Sequence, residues 1–408
     1  MLASNAVERV RHVRLSVVSF MGCWQDDTGR WLSSGGFPSQ MGALGALFDE
    51  LTLVVTRARP RAGGIALPSH AQVVALRNPV GADMRRKVSV VANSIYYLTS
   101  IARHVRAADV VHTPLPGDLP FLGMIVATVF RKRLFGMYNG SWRANPHTTW
   151  MGRVTRASMR LLARGNNVMV AVGPVGIATV PAPHMQWVFA TAISQDELTR
   201  VQPALGRPPY TPLQLGYVGR LSPEKGLTYL LEAMSALRAD PTSTELMPHL
   251  TLMGDGPQRA ELLTKVRRLG CEDIVHFAGQ LSREGLVHRL LRTDVCVLPS
   301  LTEGFPKAML DAMAYGVPVI ATDVGFGREI VGSDGERGWV VPPGNVQGLV
   351  AALRRVLKEP VDWPSLRERC RRYAEGHTLE AWRDRIAQIC ARQWSLSTMD
   401  GKLRSPRQ

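Results

Sequence analysis

The sequence predicts an α/β protein built from two tandem, Rossmann-like, doubly wound domains. Three observations carry that prediction. Short apolar runs alternate with longer amphipathic ones along most of the chain. The short runs are continuously apolar, as the strands of a parallel sheet covered on both faces must be. At 408 residues, 45% apolar and 20% charged, the chain can bury two cores of ordinary size. This composition excludes a collagen, a low-complexity chain and a small disulfide-stapled scaffold.

The elements follow in order. Arg9, Arg11 and Arg14 precede the apolar run Leu15–Phe20. A signal peptide would need a small-residue cleavage site, and Gln25-Asp26-Asp27 follows instead, so the run is expected to be a first buried strand. A glycine loop, Ser33-Ser34-Gly35-Gly36, leads into a helix over 39–48. Strands are expected at Leu51–Thr56, Gln72–Leu76, Asp109–Thr113, Arg133–Asn139 and Val168–Val172, with helices over Lys87–Arg103 and Asp118–Phe130 between them. Residues 165–195 lack Asp, Glu, Lys and Arg but are interrupted by Gly173, Pro174, Gly176, Pro181 and Pro183, so no spanning helix is predicted.

Pro203–Pro212, with four prolines, reads as a linker. A second series then offers strands at Leu213–Gly219, His249–Met253, Ile274–Ala278, Val295–Pro299, Pro318–Thr322 and Gly338–Val341. In the helix Pro257–Leu269, Leu262, Leu263, Val266 and Leu269 share one face. A helix over Leu379–Trp394 and a polar tail close the chain. The expected domains are 1–202 and 203–376, with a helix over 377–395 returning to the first and a tail at 396–408. Ligands of doubly wound folds sit at the carboxyl ends of the strands, so the expected site lies between the domains. Five scattered cysteines without a CxxC pair suit a reducing compartment and argue against a zinc module.

Chemistry concentrates at three strand ends. After Pro299 a loop carries Glu303, Gly304 and Phe305, and Pro306 suits the first position of a helix. A helix N-terminus beside a carboxylate is a natural seat for a diphosphate. Asp311 follows eight residues later and can reach the same cleft. Read alone, Glu303 is equally a helix-capping acid and Asp311 a solvated one. In Gly219-Arg220…Lys225-Gly226 two cations flank a strand-to-helix turn, where they can bind a diphosphate and stabilise it as it departs; an ordinary basic turn has the same residues. Gly35-Gly36 would let backbone approach phosphate or sugar. GxGxxG, GxxxxGK[ST] and DxD are all absent, and Gly254-Asp255-Gly256 is a short turn. No metal site is expected.

Taken together, Gly219-Arg220…Lys225-Gly226, Gly254-Asp-Gly-Pro257, Phe277-Ala-Gly279, Pro299-Ser…Glu303-Gly-Phe-Pro, Gly316-Val-Pro-Val-Ile-Ala-Thr322 and Val341-Pro-Pro-Gly344 resemble the second domain of retaining glycosyltransferases of the GT-B fold, family 4. The resemblance is close over 213–345 and looser in the first domain. It implies an acceptor-binding first domain and a second domain that binds a nucleotide-diphosphate sugar. It implies that Glu303 contacts the donor sugar, Asp311 the ribose, and Arg220 with Lys225 the diphosphate in place of a metal. Donor contacts are implied as well for Gly36, Gly219, Gly254, Gly304, Phe305 and Pro306. The chain departs from the family in having Asp rather than Glu at 311, Gly325-Phe-Gly-Arg-Glu329 where two adjacent glycines are usual, and Pro114 where many relatives carry the second His of a His-x-His. His112 remains; by itself it reads as either an acceptor-side group or a buried core histidine. Asn139 and Trp142, after the next strand, are expected on the acceptor side.

Charge is uneven. Residues 1–195 hold 21 basic and 8 acidic side chains, net +13, and the remaining 213 hold 28 and 25, net +3. Arg153, Arg156, Arg160 and Arg164 are spaced to share one helix face. An anionic membrane surface is the expected partner of the first half, and nucleic acid is not, for want of a recognisable module. The expected protein is therefore a cytoplasmic, peripheral, metal-independent retaining glycosyltransferase without a cofactor. It would act on a membrane-associated glycolipid or polysaccharide precursor, as in lipopolysaccharide synthesis. A transferase for a small soluble acceptor and a catalytically silent sugar-binding subunit are the alternatives.

Overall fold

A computed structural model describes residues 12–60, 64–81, 83–142, 149–174, 181–240 and 247–404; Arg9 and Arg11 lie outside them. The chain forms two compact units, Met1–Ala190 with Leu379–Gln408, and Thr191–Thr378.

The first unit is built on β1 (Arg14–Gln25), β2 (Trp31–Ser33), α1 (Phe37–Gly45), β3 (Glu50–Arg57), β4 (Ile65–Ala66), β5 (Ala71–Leu76), α2 (Asp83–Ala92), α3 (Ser94–Ala107), β6 (Val110–Leu115), α4 (Asp118–Val129), β7 (Arg133–Tyr138), α5 (Trp150–Leu162), β8 (Asn167–Val172) and β9 (Gln186–Val188). Its parallel sheet runs β5-β3-β1-β6-β7-β8-β9. The short strands β2 and β4 extend it antiparallel from the far end of β1. Leu15, Val17, Val18, Val54, Val110 and Val170 are fully buried, as strands covered on both faces require. The helix expected over 87–103 is two helices. At their junction the Asn93 side chain donates to the Ser89 carbonyl (2.8 Å), a local bond that competes with the helical ladder.

The second unit comprises α6 (Gln195–Arg200), β10 (Gln214–Val218), α7 (Leu227–Arg238), β11 (His249–Met253), α8 (Arg259–Arg268), β12 (Val275–Gly279), α9 (Arg283–Leu290), β13 (Val295–Leu298), α10 (Lys307–Met313), β14 (Val319–Thr322), α11 (Gly327–Val331), β15 (Gly338–Val341), α12 (Val346–Lys358) and α13 (Trp363–Glu375). Its six strands are all parallel in the order β12-β11-β10-β13-β14-β15. The winding reverses between β10 and β13, where a doubly wound sheet opens its ligand crevice. The units divide after Ala190, so Pro203–Pro212 is part of the second unit and no free linker. It is held there by Asp294, a fully buried carboxylate that accepts from the Tyr210 and Gln214 N–H groups and from Arg207 and Arg367.

The chain then returns to the first unit. In α14 (Leu379–Trp394) the Trp394 indole donates to the Asn166 carbonyl (2.8 Å), and Arg385 reaches Gln186 (3.1 Å). The polar tail is in fact structured through Arg404. β16 (Ser397–Met399) and β17 (Lys402–Arg404) pair as a hairpin. Leu403 between two cations is completely buried, and its N–H donates to the Leu47 carbonyl.

Candidate functional site

The carboxyl ends of β10 and β13 bring together two of the residues singled out in the sequence. β10 ends at Val218, and Gly219 then donates to the Met253 carbonyl while Leu221 donates to the Asp255 carbonyl. The turn is held so close to the next strand that a Cβ on Gly254 would lie 1.8 Å from the Gly219 carbonyl oxygen. Gly256 packs on Leu221 in the same way. The Gly254-Asp-Gly256 turn therefore shapes the Arg220 loop. A short 3₁₀ turn, Pro223–Lys225, follows, and Gly226 caps it at φ +63°. A side chain there would collide with the Pro299 carbonyl, 2.1 Å from its Cβ. Two loops are thus pressed together, with Leu301 N–H bonded to the Glu224 carbonyl.

That contact sets the Lys225 ammonium against Glu303 Oε1, which also accepts from the Ser300 hydroxyl at 3.2 Å. Both side chains are mostly buried yet retain a solvent-facing edge. Arg220, one turn earlier, is exposed. Burial and the nearby Glu303 charge push the Tyr217 phenol up from its ordinary range, so it stays protonated and donates to the Arg220 carbonyl (2.8 Å). Phe305 and Pro306 are buried and anchor the loop. Gly325 abuts the Glu303 and Gly304 carbonyls, so the turn that leads into α11 braces the loop from the other side.

Asp311 sits in α10 and meets a partner that the sequence reading missed. Arg283 donates to Asp311 (2.6 Å) and, through its other nitrogens, to Glu197 (2.8 and 2.5 Å). Glu197 also accepts from the Tyr315 hydroxyl. Burial would raise the Glu197 carboxyl, but Arg283 and Tyr315 outweigh it and hold it below its ordinary range. Arg283 is itself stabilised as a cation by the two acids. Ser282 and Ser194 cap the helices that deliver Arg283 and Glu197, the local signal that could have pointed to both positions.

In the first unit three expectations change. His112 is fully buried in β6, with Nδ1 on the Phe135 carbonyl (2.9 Å) and its ring stacked on Phe135. Burial pushes it down to about 4. It is a core histidine rather than an acceptor-side group. Trp142 is buried too, donating to the Pro181 carbonyl (2.6 Å) with its ring edge against Tyr138. Arg156 does not share a solvent face with Arg153, Arg160 and Arg164: it is buried and donates to the Trp142 carbonyl (2.8 Å), while Arg160 lies over the Trp142 ring. Arg153, Arg160 and Arg164 are exposed. Asn139 is exposed at the end of β7, and Gly36 caps α1 after Gly35 at φ +68°. A cavity of about 360 Å³ opens near the ends of β1 and β3, lined by Phe20, Thr56, Asn78, Arg86 and Asp118.

Residues 205–377 match the family described as Glycosyl transferases group 1. Among curated proteins, the MMP alpha-(1->4)-mannosyltransferase of Mycolicibacterium hassiacum is 37% identical over 169 residues, 41% of this chain and 39% of that protein. The glycogen synthase of Mycobacterium tuberculosis is 30% identical over 251 residues, 60% of this chain and 56% of that protein. A putative colanic acid biosynthesis glycosyltransferase of Escherichia coli, WcaL, is 32% identical over 163 residues, 38% of this chain and 39% of that protein. The chain thus spans between about two fifths and somewhat over half of these relatives' length. Solved structures align along almost the whole chain. Sucrose-phosphate synthase of Thermosynechococcus elongatus gives a TM-score of 0.69 at 20% identity, covering 94% of this chain and 99% of that one. WaaG, a glycosyltransferase involved in lipopolysaccharide biosynthesis, gives 0.62 at 15%, covering 93% and 99%. At such identities they show the fold, which is GT-B.

Proposed function

With residues 205–377 a group 1 glycosyltransferase domain in a chain of GT-B fold, we propose that the protein transfers a sugar, with retention and without a metal, from a nucleotide-diphosphate donor to an acceptor hydroxyl. The observation that carries this is the Lys225–Glu303 pair at the winding reversal of the second sheet. A carboxylate there accepts hydrogen bonds from sugar hydroxyls, and the ammonium beside it faces the diphosphate. As the bond from the anomeric carbon to the phosphate oxygen breaks, negative charge grows on the diphosphate. Lys225, held by Glu303, and Arg220 beside it stabilise that charge, the role a metal plays elsewhere.

The acceptor oxygen bonds to the anomeric carbon from the face the diphosphate leaves, and its proton passes to the departing phosphate oxygen. The core position of His112 supports this route, since a buried neutral imidazole offers no external base. Asp311, oriented by Arg283, would accept the ribose hydroxyls. The names of similar proteins, colanic acid, amylovoran and lipopolysaccharide glycosyltransferases among them, support an envelope or extracellular polysaccharide precursor as acceptor. A panel of UDP-, GDP- and ADP-sugars tests the reading. Release of one nucleoside diphosphate and an unchanged anomeric configuration in the product are expected; no release from any donor would overturn it.

A further inference from the structure

The helical ridge α2–α3 carries an apolar stripe that no part of the chain covers among the described residues. Val88, Val91 and Ile95 are 64, 72 and 78% exposed, and Leu98 continues the line. Val88 and Val91 of α2, and Ile95 and Leu98 of α3, are each three residues apart and so share a side of their own helix, while Tyr97, Ile101 and Val105 of α3 turn into the core. A solvated helix would show charged side chains at these positions. The charges are instead at the ends of the stripe, on exposed Arg85, Arg103 and Arg106. From Arg77 to Arg106 the sequence holds Arg77, Arg85, Arg86, Lys87, Arg103 and Arg106 against a single acid, Asp83. The adjoining helix α4 repeats the pattern: Ile125 and Val129 are exposed, Arg106 of α3 lies over the Phe130 ring, and Arg131 follows.

We propose that this ridge seats the first unit on an anionic lipid bilayer, its apolar stripe entering the interface and its arginines meeting the headgroups. An apolar line bounded by cations, on a helix too short and too polar to cross, is the composition of an interfacial helix. A second copy fits the ridge poorly, because two such faces would bring like charges together. The ridge also adjoins the cavity of the first unit. Arg86 of α2, paired with Asp118 at 3.0 Å, lines the cavity near the ends of β1 and β3. The docking itself does not depend on the transfer proposed above. It does not draw on α5, where Arg156 is buried against the Trp142 carbonyl while Arg153, Arg160 and Arg164 stay exposed.

Co-sedimentation of the full chain with vesicles decides it. Binding is expected to vesicles containing about a third phosphatidylglycerol and to be at least tenfold weaker to pure phosphatidylcholine, weakening further as salt rises. Val91→Asp with Ile95→Asp should lower partition about tenfold or more at an unchanged melting temperature. Arg85→Glu with Arg103→Glu should do so on the anionic vesicles, whereas Arg153→Glu with Arg164→Glu should leave binding near wild type. Equal binding to both vesicles, no binding to either, or wild-type partition by the Val91–Ile95 variant would overturn the proposal. So would a wild-type dimer that this variant loses in sedimentation equilibrium. Partition needs no donor, so a failed donor panel leaves this result standing, and the reverse holds as well.

Discussion

Arg283 shows how a single residue can orient a site from outside it. Its guanidinium joins Asp311 of α10 to Glu197 of α6, and the three charges leave one net negative charge for the site. Removing the cation would leave two mostly buried carboxylates close together, which raises their affinity for protons. Arg283→Gln is therefore expected to raise the donor KM about tenfold or more while kcat changes far less, because ribose binding contributes about equally to ground and transition states. The defect should deepen as pH falls toward the carboxylate range, and Arg283→Lys should restore part of the affinity. A kcat loss with KM unchanged, measured on the same donor, would put Arg283 elsewhere in the mechanism. Lys225 and Glu303 were legible in the sequence because each belongs to a short loop at a strand end. The Arg283 bridge was not, since it joins residues 86 and 28 positions apart, and no local pattern encodes such a meeting. His112, Trp142 and Arg156 went the other way. Their types suggested chemistry, and their burial, which the sequence does not display, assigned them to the core.

Among the elements, the strands of the second sheet lie within a residue of where the apolar runs place them, and His249–Met253 and Gly338–Val341 coincide. Long continuous runs leave little freedom. β2, β4 and β9 escaped because two or three residues carry no period, and the β16–β17 hairpin escaped because polar residues surround its one buried leucine. That hairpin makes a pH-dependent contribution to stability. Burial would raise the Asp49 carboxyl, but the Val13 N–H (2.8 Å), Arg404 and Lys402 (3.3 Å) outweigh it and hold it at about 2. The folded value lies below the unfolded one, near 4. The stabilisation is thus fully present above about pH 4 and lost as pH falls through about 2. Its size is about 2 kcal/mol. Urea unfolding of wild type and Asp49→Asn is expected to differ by that amount near neutral pH and to converge at about pH 2. A gap that stays constant with pH would show that the Asp49 charge is not what holds the hairpin.

Over the whole molecule, two doubly wound sheets follow from the alternation of runs. The division of the chain does not follow from its prolines. Pro203–Pro212 resembled a linker by composition, but the buried Asp294 gathers it into the second unit, and a buried carboxylate must find such donors. The charge asymmetry of the two halves is likewise legible in the sequence, but the burial of Arg156 among the four spaced arginines is not, because spacing reveals a face and not the depth of each side chain. The proposed activity depends on Lys225 and Glu303, in the loops after β10 and β13, performing transfer from a nucleotide-diphosphate sugar without a metal. The direct test is nucleoside diphosphate release in EDTA by wild type, Lys225→Ala, Arg220→Ala and Glu303→Gln, with melting temperatures recorded alongside. Wild type is expected to keep full turnover. Lys225→Ala and Glu303→Gln should lose on the order of a hundredfold or more, Arg220→Ala a comparable amount, and all three should melt close to wild type. Turnover abolished by EDTA in wild type, or near-normal turnover in Lys225→Ala and Glu303→Gln, would contradict the claim.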